Sequence, residues 1–412
     1  MGDEAKNRAT RAIEVRDLAI WLILGAIGLL LCWAAVKLDA RLGTASPPFQ
    51  GRYTSMLTPG LAASVGTAAA VLAIAARGGF ERLRWGVALL LGYGFGLCWS
   101  VTLVWGRDAD GAAIGTGDLG ELSTDAAGIG ADPRAWLQNF TDPDAAHSWA
   151  ARSHPPGPVL LLWMLRRLGL HDQVTIQVLL AGVAALAIPL VLAAARSACG
   201  EVNARRLLPV VVLAPYALWS SSSIDSVVTV LGAAMILAGV RASERRGWRA
   251  ALWGVGSGLL LGLAALFGYA AAWLGLSVIC LYFARRRPFL NVLTGFGALA
   301  PMLLAQLLGF SWVAGLLSAP AHYTDRIDPG RAALWWAGLS LVVLLLAAGP
   351  PLVASLRKLR NTPGWPFLVG AGAAVAFSVL TGFAQGGAEV AWLPFFPWLT
   401  IAATAPQQQA GP

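Results

Sequence analysis

Acidic residues gather in one polar stretch of an otherwise apolar chain, among them Asp108, Asp110, Glu121, Asp125, Asp132, Asp142 and Asp144. A carboxylate within hydrogen-bond reach of a hydroxyl can take its proton as a general base, although most carboxylates in a polar loop are simply solvated. The same stretch closes on Ser153-His154-Pro155-Pro156-Gly157. Two prolines fix the backbone and suit a helix start, so His154 is held either as a site residue or as part of the turn that opens a helix. Further on, Trp219-Ser220-Ser221-Ser222-Ser223-Ile224-Asp225 lies between two apolar runs, with Asp225 placed to reach a site or to cap the helix after it. A fourth cluster holds His322, Tyr323, Asp325, Arg326, Asp328 and Arg331; the planar fork of Arg matches phosphate oxygens. Glu389 stands alone just ahead of the last apolar run, where an ionisable side chain costs about 2.5–3.5 kcal/mol and asks for a reason.

Other pattern matches carry little. Gly115-Thr116-Gly117-Asp118-Leu119-Gly120 fits a G-x-G-x-x-G phosphate loop, but no strand precedes it and no α/β unit surrounds it, so it reads as a flexible loop. Asn139-Phe140-Thr141 is formally a glycosylation sequon. His147, His154 and His171 share one loop without the spacing of a metal motif. No cofactor is required, and a divalent metal has no ligand pattern behind it. The four cysteines, Cys32, Cys98, Cys199 and Cys280, show no paired spacing.

These residues must be positioned by an unusual scaffold. Of the 412 residues, 57% are hydrophobic and 12% charged, whereas soluble domains carry about a quarter charged residues. A bilayer core about 30 Å thick needs about 20 apolar residues per helix, and such runs recur along nearly the whole chain. They are Leu18–Val36, Gly60–Ala76, Trp85–Trp105, Val174–Ala195, Leu207–Trp219, Ser226–Val240, Ala250–Phe267, Ala271–Ala284, Phe289–Gly309, Ala332–Ala348, Trp365–Ala384 and Ala391–Thr404. The fold class expected is therefore an all-α, polytopic integral membrane protein with about twelve transmembrane helices. Leu18–Val36 lacks a small-residue cleavage site after it and reads as a retained first helix.

The net charge of +9 is distributed rather than diffuse. Basic clusters at Lys6/Arg8/Arg11/Arg16, Arg77/Arg82/Arg84, Arg196/Arg205/Arg206, Arg241/Arg245/Arg246/Arg249, Arg285/Arg286/Arg287 and Arg357/Lys358/Arg360 hold 20 of the 30 Lys and Arg. They alternate with loops that carry 14 of the 21 Asp and Glu and all four His. The positive-inside rule assigns the basic set to the cytoplasm and the acidic set to the other face. Both termini are then cytoplasmic, and nucleic acid is excluded as a partner. The short apolar piece Pro158–Leu170, interrupted by Arg166 and Arg167, is expected to lie in the outer interface. The division expected is a cytoplasmic segment 1–17, two N-terminal transmembrane helices over 18–84, a core over 85–405 with an outer loop at 106–173, and a disordered tail at 406–412.

A long acidic outer loop followed by Ser153-His154-Pro155-Pro156-Gly157-Pro158 resembles the GT-C superfamily of polytopic membrane glycosyltransferases. Leu213-Ala214-Pro215 through Asp225, and Glu389 with Trp392-Leu393-Pro394-Phe395, are similar to bacterial members related to protein O-mannosyltransferases and aminoarabinose transferases. The resemblance spans about Trp85 to Thr404. It implies transfer of a sugar from a polyprenyl-phosphate donor, with inversion, to a glycan or protein acceptor of the cell envelope outside the cytoplasm. Asp125, with Glu121 as the second candidate, would be the catalytic base, while His154, Asp225, His322, Tyr323, Arg326, Arg331 and Glu389 would bind substrate. The chain has small residues around Asp125 and Val390 after Glu389, where the relatives carry an aromatic and a basic residue. Two other readings stand beside this one: a catalytically inactive relative acting as an assembly partner, and a lipid or solute transporter of the plasma membrane. Charges inside the spans are nearly absent, which speaks against ion coupling.

Overall fold

The computed structural model describes residues 2–38, 40, 58–105, 117–142, 145, 147–325, 333–383 and 387–405, with backbone alone at 2–12, 117, 321–325 and 360. Among these residues every regular element is helical. The first half comprises α1 (Gly2–Lys37), α2 (Pro59–Ala76), α3 (Gly79–Arg82), α4 (Trp85–Trp105), α5 (Gly117–Gly128), α6 (Pro133–Gln138), α7 (Trp149–Ser153), α8 (Gly157–Arg167), α9 (Gln173–Cys199), α10 (Glu201–Val212) and α11 (Ala217–Ser220). The second half comprises α12 (Asp225–Glu244), α13 (Gly247–Ala265), α14 (Ala272–Ala284), α15 (Phe289–Leu308), α16 (Trp312–Asp325), α17 (Ala333–Ala348), α18 (Pro351–Arg357), α19 (Trp365–Thr381), α20 (Ala388–Ala391) and α21 (Phe396–Leu399).

Seven of these helices are long and apolar enough to cross a membrane: the Ile13–Lys37 part of α1, then α2, α4, α9, α12, α13 and α15. The pair α17 and α18 makes an eighth if its 105° bend is one broken span, and Tyr269–Ala284 and Trp365–Thr381 are shorter apolar helices. The chain is thus an all-helical polytopic membrane protein. Leu and Ile side chains stay exposed along α1 and α15, as surfaces facing lipid rather than water should be.

Two expected spans take a different form. Leu207–Trp219 is broken between α10 and α11, because Pro215 has no N–H to continue a helix and the Tyr216 N–H donates instead to the Ala347 carbonyl at 3.0 Å. Ala391–Thr404 is not one helix but a string of tight turns interrupted by Pro394 and Pro397. Its Trp392, Leu393, Phe395, Phe396 and Trp398 are among the most buried side chains of the protein. Irregular backbone at membrane depth is tolerated only where protein surrounds it, and both broken segments lie inside the bundle.

Glycines set how closely the long helices approach. A Cβ built on Gly258 of α13 would stand 2.0 Å from the Thr294 carbonyl oxygen of α15, and one on Gly262 would stand 2.4 Å from that of Ala298. Backbone meets backbone along this seam. The same device sets Gly370 of α19 against Ser277 of α14, where a Cβ would lie 2.0 Å from Oγ.

The described basic clusters are joined by polar contacts into one belt. Arg357 makes a two-pronged bond to the buried Asp17 carboxylate of α1. Lys358 donates to the Ala403 and Ala405 carbonyls at 2.7 and 2.9 Å, and Thr404 to that of Asn203 at 2.9 Å. Arg205 donates to the Phe80 and Leu83 carbonyls and to Glu201, and Arg206 pairs with Glu81. Arg285 bonds Ser243 and Ser197. Asp17 and Ala405, near the two ends of the chain, therefore lie at the same end of the bundle.

The expected outer loop 106–173 is, in its described part, a folded cap of four helices. Leu119, Leu122, Ala126 and Ile129 of the α5 region pack with Ala150, Ala151, Val159 and Leu162, and with Ile176, Leu180 and Ile224 of the bundle. The short helix expected at Pro158–Leu170 is α8, too short to cross, with Pro158, Val159 and Leu162 inward and Met164, Leu168 and its two arginines outward.

The glycine seam yields a direct test. Gly258→Ala is expected to cost about 1–3 kcal/mol of stability by overpacking. Gly256→Ala, whose new methyl meets nothing within 4 Å, is expected to be neutral, both measured by thermal unfolding of the purified chain in detergent.

Candidate functional site

The site is organised around the five-residue helix α7, which is held at both ends. Glu121 and Asp125 lie four residues apart on α5, so they share one helix face. Asp125 accepts the Ser148 N–H at 3.1 Å and the Ser148 hydroxyl, while Glu121 accepts the Ala150 N–H at 3.0 Å. Ser148 Oγ in turn accepts the Ala151 N–H at 3.2 Å. The two expected catalytic carboxylates thus take the open amides at the start of α7, a use that suits both their charge and the helix dipole.

His154 follows at the other end. Its Nδ1 lies 2.9 Å from the Ala150 carbonyl and 3.2 Å from Ser153 Oγ. A carbonyl can only accept, so Nδ1 bears the proton and Nε2 keeps the lone pair in the neutral ring. Immediately after it, Pro155 and Pro156 are buried, and the Gly157 N–H donates to the Leu266 carbonyl at 2.9 Å. A Cβ on Gly157 would stand 2.3 Å from that oxygen. Only glycine lets the turn dock against the end of α13.

This docking sets the His154 turn on the chain that leads from α13 past Asp225. Asp225 is the first residue of α12 and 8% exposed; its carboxylate lies within electrostatic reach of His154 and of Asp118. Of the two readings of Asp225, cap or site residue, capping is not seen: the N-cap residue is Ile224, and the Asp225 carboxylate accepts the Ser223 hydroxyl at 3.1 Å. Gly268, beyond α13, passes beside Asp225 Oδ1. Asp118 of α5 and His154 of the α7–α8 turn thus both lie within electrostatic reach of the buried Asp225.

Asp118 escaped the sequence reading because it sits in the G-x-G-x-x-G look-alike and was assigned to a flexible loop. Gly117–Gly128 is instead helix α5, and positions 118, 121 and 125 fall on one face of it. The signal for this was present: Leu119, Leu122, Ala126 and Ile129 are apolar at helical spacing and are all buried.

The other candidates are distributed as follows. α16, whose last turns carry His322 and Tyr323, packs against α7, and its start is fixed by the Trp312 Nε1–H donating to the Ala265 carbonyl at 2.8 Å. Arg326, Asp328 and Arg331 lie outside the described residues, as do Asp108, Asp110 and Asp144. Asp132 caps α6 by accepting the Arg134 N–H at 2.9 Å. Glu389 is half-buried on α20, which packs against α11 and α17, a different set of elements from those bearing Asp118, His154 and Asp225. Among the described residues no group of three or more His, Cys, Asp and Glu is arranged to hold a metal ion.

His147 lies beside this latch, between Trp136 and Phe140 at ring distances of 5.4 and 5.5 Å. Its buried Nε2 has no partner among the described residues. Burial holds its pKa below the usual histidine value, against the opposing pull of Asp125 and of the Asn139 backbone.

The fold and the latch define a class, a polytopic membrane protein with a polar site under a small helical cap. No protein-family model, curated protein or solved structure matches the chain.

Two outcomes follow from this geometry. Asp125→Ala or Glu121→Ala is expected to remove about 1–2 kcal/mol from α7, read as faster amide hydrogen exchange over Trp149–Ser153 by about tenfold per 1.4 kcal/mol. The His147 pKa is lower folded than unfolded, so its neutral form stabilises the cap above about pH 6.5 and that contribution fades as pH falls. Once exchange is divided by its base-catalysed intrinsic rate, protection over α6 and α7 should therefore fall between pH 7 and 5, and His147→Phe should flatten the profile.

Proposed function

We propose that the chain is a membrane-embedded glycosyltransferase that moves a sugar from a polyprenyl-phosphate donor to an acceptor hydroxyl of the cell envelope, with inversion at the transferred carbon. The reading rests on the resemblance of the His154-Pro155-Pro156-Gly157 turn and of the Asp225 segment. What supports it is one observation: these two motifs, about 70 residues apart, come close in space, with an acid of the preceding cap helix also within electrostatic reach of Asp225.

Asp118 is then the base. It shares a face of α5 with Asp125 and lies within electrostatic reach of Asp225, whereas Asp125 and Glu121 are engaged with α7. The acceptor hydroxyl loses its proton to the Asp118 carboxylate as its oxygen attacks the sugar and the lipid phosphate departs with the bonding electrons. His154 and Asp225 orient the donor, and by the resemblance His322 and Tyr323 bind the substrate while Arg326 and Arg331 meet the phosphate charge.

The basic belt faces the cytoplasm by the positive-inside rule, and the cap lies outside, with both termini inside. Twelve passages through the plasma membrane result when the bent α17–α18 pair, the two shorter apolar helices, the α10–α11 run and the closing segment 388–405 are added to the seven long helices.

The test is transfer from labelled polyprenyl-phosphate sugars by the purified chain in lipid nanodiscs. Asp118→Asn is expected to lower turnover by about 10²–10⁴-fold, with donor affinity little changed. Unchanged turnover in that variant would remove Asp118 from the role, and donor binding without any turnover in the native chain would point to the inactive relative.

A further inference from the structure

A cavity lies beneath the Ser220–Asp225 turn, where α4, α9, α10, α11 and α12 meet the buried closing segment. Three prolines surround it with interrupted backbone. Pro189 offers no N–H to the Ala185 carbonyl, Pro215 none to Val211, and Pro397 none to Leu393. Ala185, Val211 and Leu393 all line the cavity, as does Val212. The Tyr216 N–H, which a continuous helix would give to Val212, goes to Ala347. Among the described residues no backbone N–H serves the Val211, Val212 or Leu393 carbonyl.

A few side chains add polar groups to a wall that is otherwise apolar. Tyr216 lines the cavity, is 8% exposed and stacks its ring on Phe396 at 5.4 Å. Its hydroxyl finds no hydrogen-bond partner among the described residues. Ser100 and Ser220 stand in the wall with their hydroxyls 3.2 Å apart. A buried polar group without a partner is costly, and an ordered water is the usual remedy. The space for water centres is about 30 Å³, and a water needs about 10–15 Å³ by that measure, so the cavity suits about two waters and excludes a sugar or a lipid chain.

We propose that this cavity is an internal hydration site at membrane depth, holding about two ordered waters that accept from the Tyr216 hydroxyl and donate to the carbonyls left open by the proline breaks. Two mutually bonded waters retain three O–H donors, enough for three of the four carbonyls of Ala185, Val211, Val212 and Leu393. The waters tie the α10–α11 break to the closing segment. They thereby brace the turn that presents Asp225, because the Ser220 carbonyl accepts the Ser226 hydroxyl on the far side of that turn. The inference stands apart from the glycosyl-transfer reading and survives its failure.

X-ray radiolytic footprinting of the full chain in nanodiscs tests it, since radicals born from bound water label adjacent side chains without access from bulk. Tyr282 is the control, being 0% exposed with its hydroxyl 3.2 Å from Thr294 Oγ1. Tyr216 is expected to label at least tenfold faster than Tyr282, and Ala217→Leu, or Ala184→Leu should the first misfold, to bring it down to the Tyr282 rate. Labelling of Tyr216 no faster than Tyr282 would show the cavity dry and overturn the proposal. A rate that changes on replacing sodium by choline would assign the site to a cation and overturn it equally.

Discussion

A bilayer offers no hydrogen bonds, so every backbone N–H and C=O at membrane depth must be satisfied within the protein. Most of the architecture answers that constraint. The long helices without an interior proline, α1, α2 and α4, expose much of their side-chain surface, while the segments broken at Pro215 and Pro397 are withdrawn into the centre. The string of turns from Trp392 to Ala402 can cross the interior only because aromatic and aliphatic neighbours enclose it on all sides. Charge is expelled to the two ends for the same reason. At one end the arginines cap carbonyls and pair with Asp17, Glu81, Glu201 and Glu244; at the other, carboxylates take the open amides of a short helix.

That second end shows how a site can be built on little regular structure. A five-residue helix has almost no stability of its own, yet α7 is fixed by Asp125 and Glu121 at its start and by the docking of Gly157 on Leu266 just beyond its end. Because both supports are short-range and directional, His154 is held within electrostatic reach of Asp225 without a covalent link. The proton on Nδ1 is assigned by the Ala150 carbonyl, which leaves the other ring nitrogen for chemistry.

Much of the fold was legible beforehand because bilayer thickness imposes its own periodicity. The boundaries of α4 coincide with the apolar run Trp85–Trp105, and those of α9, α12 and α15 lie within a few residues of expectation. Prolines account for the departures: Pro215 and Pro397 sit in runs whose hydropathy alone reads as continuous helix. Within the site, the prominence of His154 and Asp225 came from local chemistry, a charged or titratable residue beside prolines or serines in apolar surroundings. Asp118 did not stand out, because its meaning depends on which face of α5 turns toward the bundle.

The sequence by itself determined that this is an all-helical membrane protein with charge sorted to alternate loops, since hydropathy and charge are properties of single residues and act wherever the chain goes. Tertiary structure alone decided which carboxylate of α5 comes within electrostatic reach of Asp225, and that Asp125 and Glu121 take the amides of α7. Contacts between residues 30 to 100 positions apart depend on how helices pack, and packing here turns on close approaches at Gly157, Gly258 and Gly370 that no linear pattern announces.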